Sequence, residues 1–494
     1  MAYSTINKST ANMSVKLYSG NGASSQAITG VGHQPDLVWI KRRNSGTDHQ
    51  IHDSVRGKSG SNYQYIQSNN TNSQSVQGDN DGISAFGTDG FTAGYTNSAA
   101  WNESGGTWVS WNWKAGGPTP TKTYKVVVVS DSGNKYRFRN SADTATFAQS
   151  AVTLNLQEGG TYTFDVSDST MNSHPFVIGT AANSSEYSTG VTYKLDGVTK
   201  TYSQYTSGFS SATSRQLIIT VAASAPTLYY NCSVHSGMGG AINTNDTTGS
   251  SNFAGSIQSK ISTNSTSGFS IVQWTGTGST ATIGHELGSK PELIIIKNLD
   301  STTDWRVFHH KIPGTLGTRS VRLNNTDYYN SDNSHFNDTA PGDSVITLGS
   351  STSTNGNGTR YVAYCYKGIT GFSRFGSYVG NGNDDGTFIY TGFKPAFFIF
   401  KRIDAGSENW AFLDEARSYH NVGNHTLAAN SANAESSFGG GESVDGASNK
   451  VDIVSNGIKI REASAYNNTN GATYLYIAFG QTLVGSNNVI PTAR

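Results

Sequence analysis

Gly32-His-Gln-Pro35-Asp-Leu-Val-Trp-Ile-Lys41 decides how this chain is read, because the same frame returns as Gly288-Ser-Lys-Pro291-Glu-Leu-Ile-Ile-Ile-Lys297 and as Gly392-Phe-Lys-Pro395-Ala-Phe-Phe-Ile-Phe-Lys401. Each copy is a glycine and proline turn, an apolar run of β-branched or aromatic residues, and a closing lysine. Identical spacing at three places reads as one β-module used three times. The flanks repeat as well. Upstream stand Tyr18-Ser-Gly20-Asn-Gly22, Trp274-Thr-Gly276-Thr-Gly278 and Tyr378-Val-Gly380-Asn-Gly382. Downstream come Asp48-His49, Asp304-Trp305 and Asn409-Trp410, followed by Asp53-Ser-Val-Arg56 in the first copy and Asp414-Glu-Ala-Arg417 in the third; the second has His309-His310-Lys311 instead. Each module closes on a strand of alternating large rings, Thr107-Trp-Val-Ser-Trp-Asn-Trp-Lys114, Arg360-Tyr-Val-Ala-Tyr-Cys-Tyr-Lys367 and Thr473-Tyr-Leu-Tyr-Ile-Ala-Phe479. Period-two patterning of this kind belongs to sandwich strands, and each closing strand is expected to pack against the strand of its decapeptide.

Between the first and second copies the pattern changes. Lys114-Ala-Gly-Gly-Pro-Thr-Pro120 reads as a linker, and the strands Tyr124-Lys-Val-Val-Val-Val-Ser130, Gly160-Thr-Tyr-Thr-Phe-Asp165, Arg215-Gln-Leu-Ile-Ile-Thr-Val221 and Thr227-Leu-Tyr-Tyr-Asn-Cys232 carry no trace of the repeat. The expected organisation is therefore all-β, with tandem β-sandwich domains at 1–118, 248–370 and 371–494 and a different sandwich at 119–247. The tail Val484 to Arg494 is too short to form a domain.

Composition narrows the function. Among 494 residues only 14% are charged and the formal net charge is +0, which gives no electrostatic footprint for nucleic acid. No apolar run is long enough to span a bilayer, and the opening Met1-Ala-Tyr-Ser-Thr-Ile-Asn-Lys8 has no leader pattern, so synthesis in a cytoplasm without standard export is expected. Cys232 and Cys365 fall in different modules and are expected to be unpaired. No Gly-x-Ser-x-Gly elbow, phosphate loop or His-Glu-x-x-His segment occurs. The acid pairs Asp384-Asp385 and Asp414-Glu415 do not supply two carboxyls facing across a cleft, because neighbours on a strand point to opposite faces. No enzymatic activity is expected. Trp101, Trp108 and Trp305 are read as core residues in preference to sugar-stacking platforms, and Lys41, Lys297 and Lys401 as strand-ending lysines that solvate a sheet edge.

One constellation has metal-site spacing: His174-Pro175-Phe176, then Cys232-Ser-Val-His235-Ser-Gly-Met238. A thiolate, two imidazoles and a thioether are the donor set of a blue-copper centre. The order His, then Cys-x2-His-x2-Met, resembles the cupredoxin family and its amicyanin-like members in particular. The resemblance implies a Greek-key sandwich with His174, Cys232 and His235 as equatorial ligands, Met238 as the axial one, and copper as the cofactor. The alternative reading keeps Cys232 and Met238 as packing residues of a fold that holds no metal.

The repeat as a whole, with its Tyr-Ser-Gly-Asn-Gly turn, its decapeptide, Phe86-x-x-Asp89-Gly-Phe-Thr92 and Trp111-Asn-Trp-Lys-Ala-Gly116, resembles a lectin-like, concanavalin-type jelly-roll sandwich of marine phage virion proteins. The second and third copies depart from it, with Asp343-Ser-Val-Ile346 and Ser455-Asn-Gly-Ile458 at the Asp-Gly-Phe-Thr element. The resemblance implies a structural protein of a virion assembled in the host cytoplasm: a tail-fibre or tail-tip component contacting host-surface polysaccharide, partnered by other virion proteins and homo-oligomeric, with a trimer favoured. The alternatives are a capsid decoration or head-fibre protein and, from another class, a copper redox protein.

Overall fold

The run Leu37-Val-Trp-Ile-Lys-Arg42 is apolar on both of its faces because both faces are buried. In the structure, a computed structural model that describes residues 4–482 apart from 184–185, 245–247, 407, 419–420, 424 and 436–449, it is the middle strand of a five-stranded antiparallel sheet. The predicted tail from Val484 lies outside the described residues. The sheet order is Met13–Ser19, Thr107–Trp113, Leu37–Arg42, Gln50–Asp53, Tyr65–Ile66. The closing strand and the decapeptide strand are thus hydrogen-bonded neighbours, with Trp111 opposite Trp39. The other copies reproduce the register, Tyr364 opposite Ile295 and Ile477 opposite Ile399. The architecture is all-β, in tandem sandwiches without a closed barrel.

By contact the chain forms two units, one of Met1–Ala115, Thr263–Thr280 and Glu286–Arg494, the other of Gly116–Ser262 and Ala281–His285. The first holds the first and third repeats and the second apart from 248–262 and 281–285, which group with the other unit. Alternation along the decapeptide strand sorts its side chains between two cores. Val38 and Ile40 point into the first repeat's own sandwich, against the sheet Gln26–Thr29, Gly90–Gly94, Gly82–Gly87, in a cluster with Phe91, Trp101 and Trp108. Leu37 and Trp39 point the other way, into one large cluster shared by all three repeats, where they meet Trp111, Ile295, Tyr364, Phe397, Ile399 and Phe412 among others. Trp101, Trp108 and Trp305 are each 0% exposed, as the core reading required.

The lysines that end these strands correct the sequence reading. Lys41, Lys297 and Lys401 are each 0% exposed and solvate no edge. They share the parity of Trp39, Ile295 and Ile399, so the pleat directs them at the common core. Each donates to a carbonyl of the next repeat: Lys41 to Ala432 at 3.0 Å, Lys297 to Thr71 at 3.0 Å, Lys401 to Thr326 at 2.7 Å. A ring nitrogen eight or nine residues further on makes a parallel link, His49 Nε2 to Ala428 O, Trp305 Nε1 to Gln67 O and Trp410 Nε1 to Arg322 O. The sense is constant, first repeat to third, third to second, second to first, so the heterologous contacts close into a ring.

A second set of links follows the same sense at two of the junctions and is reversed at the remaining one. In the first repeat the fully buried Asp53 and Arg56 pair, and Tyr364 from the second donates to Asp53 at 2.8 Å. In the third, Asp414 and Arg417 pair at 2.7 Å and Trp111 from the first donates to Asp414 at 3.1 Å. At the remaining junction the donor position is Ile477, which has nothing to donate, and there His309 and Ile312 replace the aspartate and arginine; His309 donates instead to the backbone carbonyl of Tyr476 at 3.2 Å. The departure of the second copy from Asp-x-x-Arg is thus matched by its neighbour.

The second unit is a two-sheet sandwich. One sheet runs in the order Asn134–Phe138, Thr121–Ser130, Thr161–Asp165, Arg215–Thr220, Val191–Leu195, Val198–Lys200; the other Leu154–Asn155, Gly240–Asn243, Leu228–Cys232, Phe176–Gly179. A short helix, Tyr202–Gly208, starts on a Thr201 and Gln204 capping box and buries Tyr205. A single cluster rich in aromatic rings, from Tyr124 to Phe253, fills the interior.

Two predictions follow from the shared core. Burial lowers Lys297 from 10.5 to about 8 and Lys41 to about 7. The unfolded chain then binds more protons between those values and 10.5, so folded stability rises with pH through that window, by on the order of 3 kcal/mol for Lys297. In Lys297→Met the urea midpoint should climb less steeply from pH 7 to 9.5 than in the parent chain; an unchanged slope contradicts a buried titrating lysine. Second, His309→Asp places a carboxylate with neither arginine nor donor and should cost on the order of 3–5 kcal/mol, whereas the triple change His309→Asp, Ile312→Arg, Ile477→Tyr rebuilds the neighbouring junction's network and should recover most of that loss in thermal unfolding.

Candidate metal centre

The metal-site residues lie at one end of the second unit's sandwich. The strands Phe176–Gly179 and Leu228–Cys232 pair antiparallel with Phe176 opposite Cys232, which sets His174, two residues ahead of Phe176, beside the thiol. The chain enters this strand from a turn held by Arg215, a residue only 2% exposed. Its guanidinium donates to Asn172 Oδ1 at 2.7 Å and to the carbonyls of Ser167 and Asp168 at 2.9 and 3.0 Å. After Cys232 the loop folds back: Ser233 N donates to Pro175 O at 3.0 Å, Gly237 N to Asn183 Oδ1 at 2.8 Å, and Tyr136 N to Met238 O at 3.0 Å. Gly239 is required where the loop rejoins the sheet, because a Cβ there would lie 1.6 Å from Tyr230 O.

This arrangement brings three of the four sequence candidates together. His174 Nδ1 and His235 Nδ1 are 3.1 Å apart, and Cys232 Sγ is 3.9 Å from the first and 3.7 Å from the second. Cys232 and His174 are buried and His235 is exposed. Met238, the fourth, is 1% exposed and sits in the aromatic-rich core cluster together with Cys232.

The donor triangle fits a metal ion. A point equidistant from its corners lies about 2.1 Å from each, the length of a metal–imidazole bond and slightly under a metal–thiolate bond. Two imidazole lone pairs at 3.1 Å repel unless a proton or a cation lies between them. Burial, and then the neighbouring His235, lower the pKa of His174, which keeps its ring neutral and able to ligate at neutral pH. Asn134 lies 3.4 Å from His174 Nε2. It is the amide nitrogen of Asn134 that faces Nε2; a metal on Nδ1 would leave the proton on Nε2, and the amide would then have to turn its oxygen to that proton to fix the ring. The thiolate and imidazole set suits copper or zinc over harder ions.

Asn134, Tyr136, Asn183 and Arg215 are supporting residues that the sequence reading did not single out. None lies at a spacing tied to the ligands. The two cysteines are unpaired as expected.

A family model matches residues 8–136 and 242–482. The chain belongs to the family described as Domain of unknown function (DUF7483). The match takes in all three repeats and leaves out 137–241, the segment that carries His174, Cys232, His235 and Met238. The metal candidates are thus carried by a segment placed inside the family's domain. No curated protein and no solved structure matches the chain.

A metal in this triangle is directly measurable. Purified protein should take up one Cu(II) with the strong visible absorption of thiolate-to-copper charge transfer, lost in Cys232→Ser and weakened in His235→Ala. Uptake without that band, or a band that survives Cys232→Ser, contradicts the assignment.

Proposed function

We propose that this chain is a structural protein of a phage particle, a tail-fibre or tail-tip component assembled in the host cytoplasm and engaged with host-surface polysaccharide. The resemblance of its lectin-like repeats to marine phage virion proteins gives the class. What carries the reading is the ring of lysine and ring-nitrogen links, by which one chain joins three copies of a module as a homotrimer joins three chains. An object built for threefold packing suits a particle that must persist outside a cell. Partners would be other virion proteins. Further homo-oligomerisation, trimer favoured, would use faces other than the repeat-to-repeat surfaces, which are consumed inside the chain. A capsid decoration or head-fibre protein is the same reading at another position of the particle. Density for this chain at the tail of a reconstructed particle supports the first placement, density on the capsid lattice supports the second, and absence from purified particles overturns both.

A second reading rests on the donor triangle. We propose that the second unit binds copper, which when bound supplies one-electron redox chemistry. His174 and Cys232 bind from the buried side, and Arg215 and Asn134 hold His174 in place. His235 closes the site from an exposed loop beside Val234, a valine that is 65% exposed. This gives a redox partner an apolar point of approach next to a ligand ring.

A further inference from the structure

The ring of repeats creates the same crevice at more than one junction. Between the third and first repeats a cavity of about 290 Å³ is lined by Lys8, Ser14, Asp89, Ala396, Glu415 and Ala416 among others. Between the second and third repeats a cavity of about 590 Å³ occupies the corresponding place. The correspondence is fixed by sheet register: Ser14 and Arg374 occupy the same position of their first strands, opposite Asn112 and Ala478. Glu292 and Ala396 each follow the decapeptide proline, and His310 and Lys311 stand where the third repeat has Glu415 and Ala416.

The two crevices differ in charge in one consistent direction. In the smaller, Asp89 is used internally, accepting from the backbone N–H groups of Gly30 and Gly32 at 2.9 and 2.6 Å, and Glu415 pairs with Lys394 at 3.2 Å. In the larger, the turn corresponding to Gly30–Gly32 is held by the backbone carbonyl of Asn456, which accepts from Thr391 and Gly392 N–H at 3.0 and 3.2 Å, so no carboxylate is needed on that wall. The Glu415 position is His310, which donates to Phe375 O at 2.7 Å with the Glu292 carboxylate 3.4 Å away. Arg374 and Lys311 are added, both exposed. Arg374 lies 5.5 Å over the ring of Tyr390 and bonds the phenol of Tyr476, which holds its guanidinium at the mouth. Thr370 and Ser377 contribute exposed hydroxyls to the rim. A crevice of this volume lies within the range of small-ligand sites, about 300–1,000 Å³, and its surplus charge is positive.

We propose that the junction between the second and third repeats binds an anionic, hydroxyl-rich ligand, a uronate residue of an acidic polysaccharide, with its carboxylate on Arg374 and Lys311 and its hydroxyls on Thr370, Ser377 and the glycine-rich backbone of Gly368 and Gly371. A planar guanidinium suits a carboxylate through two parallel hydrogen bonds, and the lysine adds a mobile charge. The proposal deepens the attachment reading and rests on it for the choice of a saccharide.

The test is calorimetric titration of the full chain with an oligogalacturonate, a neutral oligoglucoside of equal length and inorganic phosphate. The expected result is binding of the uronate oligomer alone, weakened at least tenfold in Arg374→Ala and in Lys311→Ala, unchanged in Glu415→Gln at the corresponding crevice, and weakened by added salt. Uronate binding that survives Arg374→Ala and Lys311→Ala overturns this site while leaving attachment intact. Equal binding of the neutral oligomer or of phosphate overturns the ligand class. No saccharide binding, with circular dichroism showing a folded chain, overturns the site and removes support from the attachment reading.

Discussion

Three lysines buried at the centre of the repeat ring impose the constraint around which the first unit is organised. An ammonium without solvent needs hydrogen-bond acceptors, and the sheet that buries it has used most of its own carbonyls in the ladder, Arg42 O beside Lys41 being an exception. The other acceptors must come from elsewhere. One is local, such as Thr303 O for Lys297 at 2.8 Å, and the other is a carbonyl of the neighbouring repeat. Lys297 and Lys401 each fix two loops at once, Lys41 bonds the carbonyl of Arg42 beside it as well as Ala432, and no repeat satisfies its own lysine alone. This requirement ties the three sandwiches to one another, junction by junction.

The loop carbonyls are held ready by a further repeated device. Asn69, Asn324 and Asn430 each accept the backbone N–H of the ring residue, His49, Trp305 and Trp410, at 2.9 Å, and their amides reach back to Asp48, Asp304 and Asn409. Two residues beyond each asparagine lies the carbonyl that the next lysine takes. His49 fills a tryptophan's place because its neutral ring does the same work. Nδ1 accepts from Trp39 Nε1 at 2.8 Å, so Nε2 carries the proton given to Ala428. Burial pushes its pKa well below the ordinary value, which keeps that tautomer intact.

Much of this was legible in the chain, and the misreading of the lysines shows where legibility ended. Period-two alternation and recurrent turns gave the strands, and the identical frame of the decapeptides gave the repeat. Alternation says which residues share a face; it does not say whether that face meets water. A lysine closing an apolar run belongs to an exposed edge in a solitary sandwich and to a buried junction in a ring. The difference lies in a partner more than two hundred residues away, as with Lys297 and Thr71. His309, which departs from the Asp-x-x-Arg of the other copies, and Ile477, which has no donor to offer it, are a matched pair across a junction.

The metal candidates were legible for the opposite reason. Cys232, His235 and Met238 lie within one loop, so their spacing records geometry directly, and a single strand pairing adds His174. What positions them is spread over the second unit, and its members carry no chemical signature. Arg215 acts through the carbonyls of Ser167 and Asp168, Asn134 through the Nε2 edge of the His174 ring. The same division holds between the two crevices. Their register is common, so the backbone alone would make them equal, and their difference lies in a few side chains and in whether a glycine turn is held by Asp89 or by the main chain at Asn456. Replacing a carboxylate by a carbonyl leaves the turn intact and changes the charge of the wall behind it, which is how a repeated scaffold acquires one junction unlike the others.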